Sequence, residues 1–420
     1  KSVEQVIYNE NGRPTEIINQ DGSKSLYEYD ARNNLVGATN ERGNKGIYEY
    51  DAKDNLISYQ DKMGALWTYT YDEANHLKSA QDPEGNNYIY DHDALGRLVA
   101  YTSPAGKTTT YTYGSTGELL KITDPCGEVA FTYNENGNNT SITDALGNSQ
   151  RLEYNAMGQV TLATDYAGNE YRFNYDEKGN LLTETDPLNF AVSYAYDARG
   201  NRTSVTDKNG GTTAYTFNEG NQLTAIRDAA GGTIHYTYDT LGRIQAVTDA
   251  RENQTGYTYD AIGRLTKVTN ALGNTRSYTY DPMGNLLSQT DENGMVTSYE
   301  YDKEDRLTAI QSEAGRVLFT YDKLGRVVSI QDTDTHEEAI YYDGDGKVTS
   351  RVNKENYQTT YVYDEAGRLI RETNALGAET TYGYDANGNC TTVTDAAGQR
   401  WSWSYDANGQ VTEEINPLGQ

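Results

Sequence analysis

A 21-residue unit, copied with small changes from one end of the chain to the other, constrains this sequence more than any other feature. One copy, Tyr257 to Gly273, reads YTYDAIGRLTKVTNALG. Tyr257 and Tyr259 lie two apart, so on a strand they share a face. Asp260 and Gly263 mark a turn, Leu265 to Thr269 a second strand, and Asn270 to Gly273 a second turn. The second aromatic recurs 20 times, from Tyr8 to Tyr405, in steps of 21 except for two steps of 20, into Tyr133 and Tyr321. Such a period predicts a repeat architecture in which each unit stacks on the next.

The copies can be compared with one another. Four residues after the second aromatic, 15 copies carry Gly and the others carry Asn33, Asp54, Asn75, Asn221 and Asp305. These are the residue types that best tolerate a left-handed backbone, so the position is predicted to have φ > 0. The residue directly after the aromatic is Asp or Asn in every copy but one, Gly114, and eleven after it stand 18 Asp or Asn and two Ser. A short acceptor at these places bonds backbone N–H groups further along a turn. Two specified turns per repeat suit antiparallel hairpins; a parallel coil of similar length is the architectural rival. Helix is excluded by Gly, Asn and Asp recurring every seven to ten residues.

The second strand leaves a question open. An aliphatic residue six after the aromatic is often followed three later by another apolar one, as in Leu265 and Val268. A spacing of three means either a bulge or residues on opposite faces. The segment Gln331 to Glu338 lacks the usual Gly and is expected to be an irregular loop.

Hydrophobic residues make up 36% of the chain and the mean hydropathy is −0.82, too little for a thick core. Tyr outnumbers Phe 38 to 5, which suits a single-layer sheet where rings are covered and hydroxyls stay wet. The net charge of −27 opposes nucleic acid as a partner, which needs a basic footprint. No apolar run reaches membrane-spanning length, so no membrane insertion by this segment is expected. Two cysteines exclude a disulfide framework.

The pattern resembles the YD-repeat, or Rhs-repeat, family, carried by YTYDAIGRLTKVTNALGN (Tyr257 to Asn274) and YTYDPMGNLLSQTDENG (Tyr278 to Gly294). The resemblance covers essentially the whole chain. It implies an all-β fold in which hairpin repeats form a continuous antiparallel ribbon that spirals into a hollow shell, as in bacterial Rhs toxins, the third component of insecticidal toxin complexes, wall-associated proteins and teneurins. It further implies a secreted or cell-surface protein whose partners are other segments of the same polypeptide: a C-terminal toxin or cargo, and a core-associated segment with no counterpart found here. The chain is read as one repeat domain over residues 1–420, an excerpt of something longer.

Candidate sites remain structural. Tyr257, Tyr259, Asp260, Gly263, Tyr278, Tyr280, Asp281 and Gly284 stand for the ladder and turns of every repeat. Aromatic stacking between strands is favoured over a glycan platform, because only Trp67, Trp401 and Trp403 offer the ring sugars prefer. Asp332, Asp334, Glu337 and Glu338 form the best local acidic set, yet one carboxylate per turn falls short of the six to eight oxygens of Ca²⁺. His76, His92, His235 and His336 have no ligand spacing. No catalytic motif is found, so no cofactor, no metal and no enzymatic activity are expected. The expected function is a non-catalytic shell segment that encases or delivers cargo. The alternative is an adhesion module binding a cell-wall glycan or a surface protein through its aromatic or acidic surface.

Overall fold

A computed structural model describes residues 3–333 and 336–420. They form 40 strands and no helix, numbered from β1 (Val3–Tyr8) to β40 (Val411–Ile415), in one sheet. Consecutive strands pair antiparallel, as β25 (Gln254–Tyr259) does with β26 (Leu265–Thr269), and β26 with β27 (Thr275–Tyr280). Tyr257 lies opposite Val268 of its own repeat and not beside Tyr278, so the parallel-coil arrangement is ruled out.

Both turns of a repeat close in the same way. In the first, Gly263 N–H donates to Asp260 O (3.1 Å), Asp260 N–H donates to Arg264 O (2.9 Å), and Asp260 Oδ1 accepts from Ile262 N (3.1 Å) and Arg264 N (2.9 Å). Asn270, Leu272, Gly273 and Asn274 repeat these bonds in the second turn. This is a type I turn followed by one left-handed residue. The left-handed position has φ > 0 in all 20 first turns, including Asn33, Asp54, Asn75, Asn221 and Asp305. The second turn requires it too, and there Glu252 adopts φ of +64°.

The spacing of three in the second strand is a bulge. Tyr259 faces Leu265 and Thr258 faces Lys267, which leaves Thr266 over. The slip turns Leu265 onto the same face as Val268, which is also the face of the two tyrosines they pair with. The two 20-residue steps are absorbed in the second turn. There Asp124 pairs with Gly127 and Ser312 with Gly315 across two-residue loops.

The ends of Gln331 to Glu338, where an irregular loop was expected, are regular: Gln331 closes the strand Val327–Gln331. Glu337 and Glu338 lie on a strand, Glu337–Tyr342, and Asp332 N–H closes on His336 O at 3.1 Å as in other turns. The centre of the segment, with Asp334, lies outside the described residues.

The chain forms two compact units: Lys1–Gly106 with Thr255–Tyr361, and Lys107–Gln254 with Val362–Gln420. Among the described residues the buried apolar side chains are Ala65, Ala80, Ala246, Ala309 and Ile340, so four of five are alanine. Stability therefore rests on ladders and half-buried rings, not on a thick core.

The candidate functional site

Tyr280 ends β27 with its ring half-buried. Its hydroxyl donates to the carbonyl of Leu265 in the preceding repeat, at 2.8 Å. The β26–β27 ladder begins only at Lys267, so beside the bulge this carbonyl lacks a strand partner on that side. The same bond joins Tyr71 to Leu56, Tyr175 to Val160, Tyr342 to Val327 and Tyr405 to Cys390. In these repeats the hydroxyl is engaged by the backbone of the preceding repeat, a role that the tyrosine excess alone does not reveal. Burial, and then neighbouring Tyr278, raises the Tyr280 pKa, so the hydroxyl stays a donor at neutral pH.

Arg264 joins the same two repeats. Its Nε donates to Asp260 Oδ2 (2.6 Å), its Nη1 to Asp281 O (2.6 Å), and its guanidinium lies 5.2 Å from the Tyr280 ring centre. Arg306 with Tyr321, Arg326 with Tyr342 and Arg368 with Tyr384 repeat the arrangement at 4.7–5.0 Å. In these repeats the ring partner is therefore a cation. Tyrosine pairs do occur elsewhere, as between Tyr48 and Tyr59 at 4.9 Å. Where Asn replaces Arg and the left-handed residue of the next repeat is Asn or Asp, the two side chains bond: Asn201 to Asn221 (2.9 Å), Asn285 to Asp305 (2.9 Å). The sequence reading missed this role. Its signal was a long or branched polar residue placed directly after the turn glycine.

Tyr257, Tyr259, Tyr278 and Tyr280 share one face, while Asp260 and Asp281 close turns with Gly263 and Gly284, at φ of +89° and +98°. Of the acidic set, Asp332 pairs with Lys354 (2.7 Å), Glu337 accepts from Ser329 Oγ (2.5 Å), and Glu338 lies 3.7 Å from Arg351. Each described member is thus engaged with a protein donor. Among the described residues no group of three or more His, Cys, Asp or Glu is placed to hold a metal.

A second constellation could not be read from the repeat. Within each unit, second turns of early repeats meet first turns about 240 residues later. In the first unit, Arg42 Nη2 lies 3.0 Å from Asp305 Oδ1 and Arg42 Nη1 lies 3.4 Å from Asp281 Oδ2. Lys62 reaches Glu304 at 3.3 Å, Lys323 N–H donates to Glu84 (3.2 Å), and Asp345 accepts from Ser103 Oγ (3.1 Å) and Ala105 N (3.0 Å). In the second unit, Asn387 Nδ2 donates to Asp144 (2.6 Å) and Asn408 Nδ2 to Asp165 (2.9 Å). Cys126 lines a cavity of about 260 Å³ beside Asp144 and Asn387. Burial, then Asp124, raises its thiol pKa, which disfavours the reactive thiolate.

No curated protein matches the sequence. Solved structures match its fold over 98% of its length at 15% identity: TcdB2-TccC3-Cdc42 (TM-score 0.76), TcdB2-TccC3 without its hypervariable C-terminal region (0.74) and TcdB2-TccC3 (0.71). This chain spans 30% of the length of each. The teneurin YD-shell family matches residues 246–378. The RHS repeat family matches nine segments, among them 8–45, 133–170, 217–254 and 384–420. These segments together take in well over half of the sequence, and the chain belongs to the RHS-repeat family.

Proposed function

We propose that this chain is a non-catalytic wall segment of a secreted or cell-surface YD-repeat protein, and that its 20 repeats act as one functional domain that encases or delivers cargo borne on the same polypeptide. One observation carries the reading. The residue types that would supply chemistry elsewhere are spent on holding repeat to repeat: Asp260 in its turn, Arg264 across the junction, Tyr280 on a carbonyl. What remains is a wall. The likeness in fold to TcdB2-TccC3 supports the choice, since one of those structures is described by the removal of a hypervariable C-terminal region. The adhesion alternative loses its main support, because rings such as Tyr280 and Tyr342 are covered by arginine where a sugar would stack.

The test is limited proteolysis of the full natural product. A segment that survives while the repeats are folded, and is digested once they are denatured, supports encasement. Equal digestion in both states rejects it.

A further inference from the structure

Asp305 stands at the left-handed turn position that is Gly in 15 of 20 copies, and it holds φ at +63°. A β-carbon there is strained, and strain that persists points to a compensating role. The other acidic residue at this position, Asp54, serves its own neighbourhood, accepting from Asn34 (2.7 Å) and pairing with Arg32 (2.8 Å). Asp305 accepts likewise from Asn285, but it also takes charges from far along the chain. Arg42 lies 3.0 Å from its Oδ1 and Lys62 3.9 Å from its Oδ2. Arg42 also donates to Asp302 O and lies 3.4 Å from Asp281, while Lys62 offers both its backbone N–H and its Nζ to Glu304. Two cations from adjacent second turns thus grip three carboxylates, Asp281, Glu304 and Asp305.

We propose that this cluster is a charge latch, closing the 42 and 62 turns onto the 302–305 turn of the same unit, and that ionic strength opens it without unfolding any strand. The ladders among the described residues join consecutive strands only, so parting these turns breaks no ladder. The latch side chains, apart from the nearly buried Asp281, are about one-fifth exposed and therefore open to screening. Arg42 Nε and Asn40 Nδ2 are buried without a partner, which makes the closed state costly. The matching junctions of the second unit, Asn387 with Asp144 and Asn408 with Asp165, contain no cation and respond less to salt. The latch does not depend on the nature of any cargo, so it stands or falls separately from the proposed function.

The test is amide hydrogen exchange, read at Lys62 N–H in the first unit and, in the second, at Ala167 N–H, which is shared between Asp165 Oδ1 of its own turn and Asn408 Oδ1 across the junction. Asp305→Asn keeps a residue that tolerates the left-handed backbone while losing the charge; Asp305→Gly relieves the strain as well. Each variant at low salt, and the unaltered protein at about 1 M salt, where the screening length is about 3 Å, is expected to speed exchange at Lys62 about tenfold. Strand amides and Ala167 are expected to stay as they were. Asp54→Gly is expected to leave Lys62 unchanged. Unaltered Lys62 exchange in both Asp305 variants, or an equal salt response at Ala167, overturns the latch.

Discussion

The hydroxyl of Tyr280 and the backbone carbonyl of Leu265 meet at 2.8 Å across a repeat boundary, where the bulge after Leu265 interrupts the ladder. The ring covers the sheet and the hydroxyl supplies the missing donor. Phe would do the first and not the second.

Tyr280→Phe is accordingly expected to destabilise the protein by about 1–2 kcal/mol, the cost of leaving a half-buried acceptor unpaired. Phe217 occupies the same position in its own repeat, and Phe217→Tyr is expected to stabilise by about 0.5–1 kcal/mol by adding the bond to Arg202 O. Urea melts of both variants check this. Equal midpoints for Tyr280→Phe and the parent protein remove any weight from the bond.

Glu252 sits at φ of +64°, where the corresponding residue in most second turns is Gly. Glu252→Gly is expected to stabilise by about 1 kcal/mol, since the left-handed backbone costs other residues about 1–2 kcal/mol. Gly263→Val places a β-branched residue at φ of +89° and is expected to destabilise by more than about 1 kcal/mol, with Gly263→Asn milder. Thermal melts that rank Val and Asn equally defeat this explanation.

The turn aspartates make stability depend on acid. The carboxyl of Asp51 is held below its ordinary range by the Asn55 side chain first, then by the Asn55 backbone N–H, with burial opposing. Asp197 is lowered in the same way by Asn201. A folded-state pKa that is depressed adds stability above the unfolded pKa of about 3.9, and that stability drains away as pH falls through the folded value. Melts between about pH 7 and pH 5 are therefore expected to agree, with a progressive loss below about pH 4. A midpoint that stays flat through pH 3 contradicts the assignment.

In the second unit the seam bond from Asn387 to Asp144 is amide to carboxylate. Asn387→Asp sets two carboxylates against each other. It is expected to raise the Asp144 pKa from its present lowered value and to cost about 1 kcal/mol, discounted for exposure. Carboxyl titration followed by NMR reads the first effect and denaturant melts the second. An Asp144 titration that does not move shows that the seam is open in solution.

Much of the fold was legible because its turns are local. Gly263 and Asp305 could be placed in one conformational class from residue type alone, and antiparallel pairing followed from two such turns per repeat. The spacing of Leu265 and Val268 raised the bulge without deciding it, because ladder register is a property of two strands together. Arg264 was overlooked because its partners, Asp281 O and the Tyr280 ring, lie in the next repeat.

What the sequence by itself determined, then, is the repeat: its length, its two left-handed turns, its tyrosine face and its antiparallel hairpins. All of these are settled within about 20 residues by backbone sterics and short-range hydrogen bonds. The tertiary structure alone decided which carbonyl each tyrosine hydroxyl would reach, and that Arg42 and Lys62 would meet Asp305. The second depends on small strand-to-strand twists summed over many strands, a quantity that no single repeat carries. Asp305 shows the division most plainly. Its residue type told that it could sit in the turn, and its partners, Asn285 in the preceding repeat and Arg42 and Lys62 from far along the chain, tell what it gains there over glycine.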